Sequence, residues 1–237
     1  MPVADQLLVR AAGLVSGRHR ALFGIAGAPG AGKSTVAEWL VRELGAAGLP
    51  AVGVPMDGFH LADVALDVLG RRDRKGAPDT FDDHGYAALL QRLRVVEVEG
   101  STVYAPAFER EIEQPIAGSI AVPPATRIVV TEGNYLLLEQ GAWPAARGEL
   151  DEVWFVDVDD DLRLSRLVDR HVRFGKSPEQ ARRWVSEVDE PNAVLVGAGR
   201  ARADLRVDLA ALDLPARGDV STVTGCGTTD PEGRLRH

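Results

Sequence analysis

The sequence predicts an α/β fold, a mostly parallel sheet with helices on both faces. Three observations carry that expectation. Short apolar runs alternate with stretches of helical periodicity along most of the chain. A glycine-rich loop joins the first such run to the first long helix, which is the order a strand–loop–helix unit needs. The chain has 237 residues, enough for one good-sized domain or one domain with a lid.

The elements follow in order. Residues 3–16 read as an amphipathic helix with Val3, Leu7, Leu8, Ala11 and Val15 on one side. Residues 21–26 are apolar, as a buried strand should be. After the glycine loop, Val36, Leu40 and Leu44 share a helical face, and Gly45 and Gly48 end that helix. Residues 51–56 read as a short strand, residues 64–69 as a short helix and residues 71–76 as a polar basic loop. Asp82 or Asp83 caps a helix carrying Tyr86, Leu89, Leu90 and Leu93. Residues 102–104 read as a strand; residues 113–125, with three prolines, read as loop. Residues 127–131 and 152–157 are buried strands. Two helices follow near 160–174 and 178–189, and residues 204–209 alternate like a late edge strand. One domain therefore spans 1–214, with a lid at about 160–190 and a flexible Gly/Thr/Asp/Pro-rich tail over 215–237.

Composition is ordinary for a globular protein, with 45% hydrophobic and 26% charged residues. A net charge of −8 argues against nucleic acid as a partner. The lone Cys226 excludes an intrachain disulfide and a cysteine-based zinc site. No apolar run approaches the ~18 residues of a membrane span, and the start lacks a signal-peptide core. These features predict a reduced, cytoplasmic protein without a membrane partner.

The loop Gly27-Ala28-Pro29-Gly30-Ala31-Gly32-Lys33-Ser34 fits G-x-x-x-x-G-K-[ST], a pattern that chance gives roughly once in a hundred chains of this size. Glycines let successive backbone N–H groups point inward at phosphate oxygens, and the helix start adds its positive dipole end. Lys33 supplies a charge for the β- and γ-phosphates. Ser34 offers a hydroxyl to Mg²⁺, whose remaining positions go to water and phosphate oxygens.

Ligands of parallel sheets bind at the carboxyl ends of strands. Two apolar runs end there in an acid and a glycine, Asp57-Gly58 and Glu132-Gly133. Acid–glycine is also a plain turn signal. A phosphotransferase to an alcohol needs one carboxylate to take or orient the hydroxyl proton and another near the metal. Asp57 fits the first role and Glu132 the second. Arg163, Arg166, Arg170 and Arg173 repeat at three, four and three residues on one helical face, with Leu164, Leu167, Val168 and Val172 on another. Arginines on a lid stabilise the charge spread over a moving phosphoryl group, so at least one of Arg166, Arg170 and Arg173 should reach the phosphates. Gly175, Ser177 and Pro178 read as the lid turn.

The glycine loop, residues 56–60 (MDGFH), residues 74–82, residues 104–110 (YAPAFER), residues 132–138 (EGNYLLL) and residues 189–193 (DEPNA) occur in this order. Over roughly residues 20–210 the chain resembles the uridine kinase / phosphoribulokinase / bacterial pantothenate kinase-like superfamily, in particular its nucleoside/nucleotide kinase-like, fructose-transport-kinase-like branch. The resemblance implies a P-loop NTPase three-layer sandwich with a helical lid, using ATP and Mg²⁺. It assigns Lys33, Ser34 and Thr35 to phosphate and metal, Asp57 to catalysis, Arg170 with Arg173 to the lid, and Glu132 to the acid after the metal-side strand. Tyr104 opens, and Arg110 closes, a segment similar to an acceptor-contacting one. Asn192 resembles an asparagine near the pantothenate kinase acceptor pocket. His60 reads equally as an acceptor contact or as a surface histidine at a helix start. The chain lacks the base-clamping residues of uridine kinases and the extra aromatics of pantothenate kinases.

The resulting expectation is transfer of the ATP γ-phosphate to a hydroxyl of a nucleoside or sugar-like metabolite, with a homodimer plausible. Pantothenate-type and nucleoside-monophosphate kinases are near alternatives, because residues 71–75 could hold a second phosphate. A GTPase would need a guanine-reading N/T-K-x-D motif, which is absent, and a non-catalytic nucleotide-binding regulator would show no acceptor-stimulated turnover.

Overall fold

The computed structural model describes residues 1–95 and 100–212. Its centre is a parallel sheet. The strands are β1 (Ala21–Ala26), β2 (Ala51–Gly53), β5 (Ile128–Gly133), β6 (Glu152–Asp157) and β7 (Leu205–Asp208), in the order β2-β5-β1-β6-β7. The missing numbers belong to a separate two-stranded ribbon, β3 (Val103–Glu109) and β4 (Gln114–Val122).

Alternation along the strands sorts the core into two layers. Phe23, Ile25, Val130, Trp154 and Val156 pack with α1 (Val3–Gly13) and α2 (Lys33–Ala46) through Leu7, Trp39, Leu40 and Leu44. Leu22, Val129, Val153 and Phe155 face the other side. There α4 (Asp83–Arg94) and α5 (Trp143–Gly148) supply Tyr86, Leu89, Leu90, Leu93 and Trp143. Burying one such leucine contributes about 1.5–3 kcal/mol, so both faces hold the sheet. The predicted three-layer α/β sandwich is thus the observed one. Asp82 is the cap of α4, accepting from the Gly85 N–H at 2.8 Å. A short α3 (Asp63–Leu69) lies between β2 and α4.

Two local expectations are corrected. Residues 113–125 are not a loop, since β4 fills most of that stretch and pairs antiparallel with β3. The prolines fit because a two-stranded ribbon has a free edge on each strand, where a missing N–H breaks no ladder. Pro106 falls at the register shift between Ala105 and Ala107, and Pro123 and Pro124 follow the end of β4. The helix expected near 178–189 is present but runs further, to Gly197, and is not α-helical throughout. After α6 (Asp160–Arg173), α7 (Pro178–Trp184) passes through a π-turn at Val185–Asp189 into α8 (Glu190–Gly197). The proposed tail at 215–237, with Cys226, lies outside the described residues. Among the described residues, no helix is long and apolar enough to cross a membrane.

Candidate active site

The glycine loop leaves β1 at the middle of the sheet and enters α2. Gly30 and Gly32 take φ of +80° and +90°, which side-chain-bearing residues rarely adopt. Close packing also demands them. A Cβ on Gly30 would lie 2.8 Å from Leu167 and one on Gly32 2.8 Å from Leu209. Helix α6 therefore rides directly on the loop. Lys33 is buried and donates to the Ala28 carbonyl at 3.0 Å and to Asn134 Oδ1 at 2.7 Å.

Strand β5 pairs with β1 so that Glu132 stands beside Ile25, and Ser34 Oγ donates to Glu132 Oε1 at 2.8 Å. Past β2, the chain turns at Met56–Phe59 and presents Asp57. The glycine after each acid has a packing reason. A Cβ on Gly58 would meet the Pro106 carbonyl at 2.3 Å, and one on Gly133 would meet Met56 Cβ at 2.5 Å. These contacts press the ribbon onto the Asp57 turn and that turn onto β5. The ribbon in turn brings Arg110 Nη2 to 3.4 Å from Asp57 Oδ2.

Burial opposes every charge here. It pushes the Asp57 carboxyl up, but at the low pH where that group would titrate, protonated His60 joins Arg110, Lys33 and Arg170, and the carboxyl ends below its ordinary value. Glu132 is raised by burial and by repulsion from Asp57, with Lys33 and the Ser34 hydrogen bond pulling back. Burial lowers Lys33, and Glu132 and Asp57 offset part of that. Arg170 is lowered by burial and by Arg110. The two acids are thus shifted in opposite directions, Asp57 down and Glu132 up.

Two clefts meet at this centre. One, of about 720 Å³, is lined by Gly30, Gly32, Lys33, Ser34, Thr35, Arg166, Arg170 and Arg173. The other, of about 380 Å³, is lined by His60, Phe81, Asn134, His171, Trp184, Asp189 and Asn192. Lys33, Ser34, Asp57, Phe108, Arg110, Glu132, Arg170 and Phe174 belong to both walls.

The expected residues thus converge, with exceptions. Tyr104 does not join them. Alternation in β3 turns its neighbour Ala105 inward and leaves Tyr104 59% exposed, outside both linings. The arginine stripe is not one solvated face. Arg163 is buried, paired with Asp160 at 2.9 Å and Glu190 at 2.6 Å. His60 is no surface residue. Its ring centre lies 4.0 Å from that of Phe81 and 4.8 Å from that of Phe108, and its buried Nδ1 has no hydrogen-bond partner among the described residues. The basic segment is internally neutralised: Arg72 and Lys75 pair with Asp63, Arg72 with Asp67, and Arg71 and Arg74 with Asp79. Sequence reasoning passed over Asn134, Trp184 and the bond between His171 Nε2 and Asp189 Oδ2 at 2.8 Å. Asn134 was within reach as the first residue after a strand that ends in an acid and a glycine. The other two depend on contacts between distant segments.

Known proteins resemble this chain in sequence and fold. YggC of Escherichia coli K12, an uncharacterized protein, is 32% identical over 199 residues, covering 82% of this chain and 80% of its own. The ATP-dependent kinase-like protein notR′ of Aspergillus versicolor is 40% identical over 131 residues, 53% of this chain and 76% of its own. A crystal structure assigned to a fructose transport system kinase from Silicibacter sp. TM1040 superposes with a TM-score of 0.73 at 38% identity, covering 79% of this chain and 89% of the other. Residues 22–193 match the Phosphoribulokinase / Uridine kinase family. Because that match spans well over half of the chain, the chain belongs to the phosphoribulokinase/uridine kinase family and is a phosphotransferase.

Proposed function

We propose that this kinase moves the γ-phosphoryl group of ATP to a hydroxyl of a small uncharged metabolite, a nucleoside or a sugar-like molecule. One observation carries the reading: Asp57 lies in the wall shared by the two clefts, and Lys33 and Arg170 belong to the same wall. ATP phosphates belong on the glycine-loop side, where Lys33, Arg166, Arg170 and Arg173 face them. The acceptor belongs beside His60, Arg110 and Asn192. Asp57 accepts the hydroxyl proton as the oxygen attacks, and Lys33 and Arg170 balance the charge on the group in transit.

The donor set at Ser34 and Glu132 suits Mg²⁺. Both ligating atoms are hard oxygens, and among the described residues no cluster of three His, Cys, Asp or Glu forms a cage. Ser34 and Glu132 would hold the ion, directly or through water, and it would supply charge neutralisation at the phosphates. A monophosphate acceptor is disfavoured because residues 71–75 spend their charges on Asp63, Asp67 and Asp79. The same reading takes the small-molecule acceptor as the principal partner, in a cytoplasmic, homodimeric setting.

The test is ADP release with a panel of nucleosides, free sugars, pantothenate and nucleoside monophosphates. Stimulation by a nucleoside or sugar is expected. Stimulation by none would leave a non-catalytic nucleotide binder, and stimulation by monophosphates alone would move the acceptor class.

His60 adds a stability test. Burial pulls its imidazole from 6.5 down to about 4, with Asp57 offsetting only part. Between those values the unfolded chain binds a proton that the folded chain does not. The contribution is present above pH 6.5 and is lost as pH falls towards 4. His60→Gln should therefore flatten the decline in urea midpoint between about pH 7 and about pH 5. Equal declines in both proteins would mean that the ring is solvated.

A further inference from the structure

Helix α6 is fastened at two points. Near its start, Arg163 Nη2 donates to Glu190 Oε1 at 2.6 Å. Near its end, His171 Nε2 lies 2.8 Å from Asp189 Oδ2. The two acids are adjacent in sequence, whereas Arg163 and His171 are about 12 Å apart along a helix axis. Both bonds therefore converge on one place, the junction of the π-turn with α8. Arg163 also reaches the Pro29 carbonyl at 3.5 Å, so the clamped helix rests on the glycine loop.

The π-turn gives the junction a second face. Its i→i+5 repeat stacks Trp184 near Asp189, whereas an unbroken α-helix would set them about 140° apart. Trp184, Asp189 and Asn192 all line the acceptor-side cleft, and Asp189 and Asn192 are buried. Arg170 is the residue before His171 and belongs to both clefts. The segment Asp189-Glu190-Pro191-Asn192 thus divides its work. Its two acids hold α6, its proline sits in the first turn of α8, and its asparagine faces the cleft.

We propose that Asp189 and Glu190 are positioning residues. Acting through His171 and Arg163, they clamp α6 from both ends and fix Arg170 between the clefts, in register with the wall formed by Trp184 and Asn192. The inference rests on the reading of Arg170 as a phosphate-facing arginine.

Two measurements on the full chain test it. The first is amide hydrogen exchange without ligand, comparing wild type with an Asp189→Ala/Glu190→Ala double variant. Exchange across residues 160–173 should quicken at least about tenfold, while β1 stays within about twofold. Glu190→Ala alone provides a milder variant that should quicken the first half of α6 should the double variant not fold. Unchanged exchange in α6 overturns the clamp whether or not the protein turns over ATP, so this arm fails separately from the kinase reading. The second is kcat and KM for ATP, with water or the best panel compound as acceptor. The double variant should lose about tenfold or more in kcat with KM for ATP within about twofold, and Asp189→Asn, whose amide oxygen can still accept from His171, should recover most of its share. A raised KM at unchanged kcat would overturn the assignment.

Discussion

Asp57→Asn is expected to cut phosphotransfer by roughly 10²–10⁴-fold, the range removed with a general base. The substitution keeps the side chain's shape and removes both its charge and its ability to take a proton. In the folded protein that carboxylate is held below its ordinary value, so at neutral pH it is ready to accept from an incoming hydroxyl. Nucleotide binding should survive. Lys33 is held by Ala28 and Asn134, not by Asp57, and the bond from Arg110 to Asp57 is long at 3.4 Å and half exposed on the arginine side. Losing one negative charge beside the phosphate site should leave ATP affinity unchanged or slightly higher. Calorimetric titration with ATP, beside single-turnover assays, separates the two effects. Turnover near the wild-type rate in the variant would remove Asp57 from the chemistry.

Lys33→Ala should damage both binding and chemistry. Its ammonium is buried between two acids, Glu132 and Asp57, which offset part of the cost of its burial. Removing it deletes a cation from the phosphate side and leaves those acids facing each other with less compensation. The expected loss in turnover is roughly 10³-fold, as for other preorganised charges that act on a transferring phosphoryl group. ATP affinity should fall with it, about tenfold, which is the contrast with Asp57→Asn. The same titration and turnover assays check both numbers. A variant that binds ATP normally and turns over within tenfold of wild type would show that the loop's backbone donors suffice.

Much of this site is legible in the chain because its donor half is local. Eight consecutive residues make up the glycine loop, and Asp57 and Glu132 announce themselves at the ends of apolar runs. What could not be read depends on partners far away in sequence. Arg163 shares its helical spacing with Arg166, Arg170 and Arg173, and only Glu190, 27 residues on, makes it a buried tether. His171 and Asp189 meet across 18 residues. Strand β4 was missed for a different reason. Prolines argue against strands in a sheet interior, but β3 and β4 have open edges, and Pro106 sits at a register shift. That same strand decides Tyr104, because the phase of the alternation, rather than the residue type, turns it outward.

Among the described residues the β3–β4 ribbon shares no hydrogen-bonded strand with the parallel sheet, yet it brings Phe108 and Arg110 to the wall where the clefts meet. Its length and tip can therefore drift by insertion or replacement without breaking a ladder of the core. With the acceptor placed beside Arg110, as proposed above, selection could reshape the acceptor side on this ribbon while the glycine loop stays under its own constraint. That separation gives one scaffold a route to serve many acceptors across a lineage.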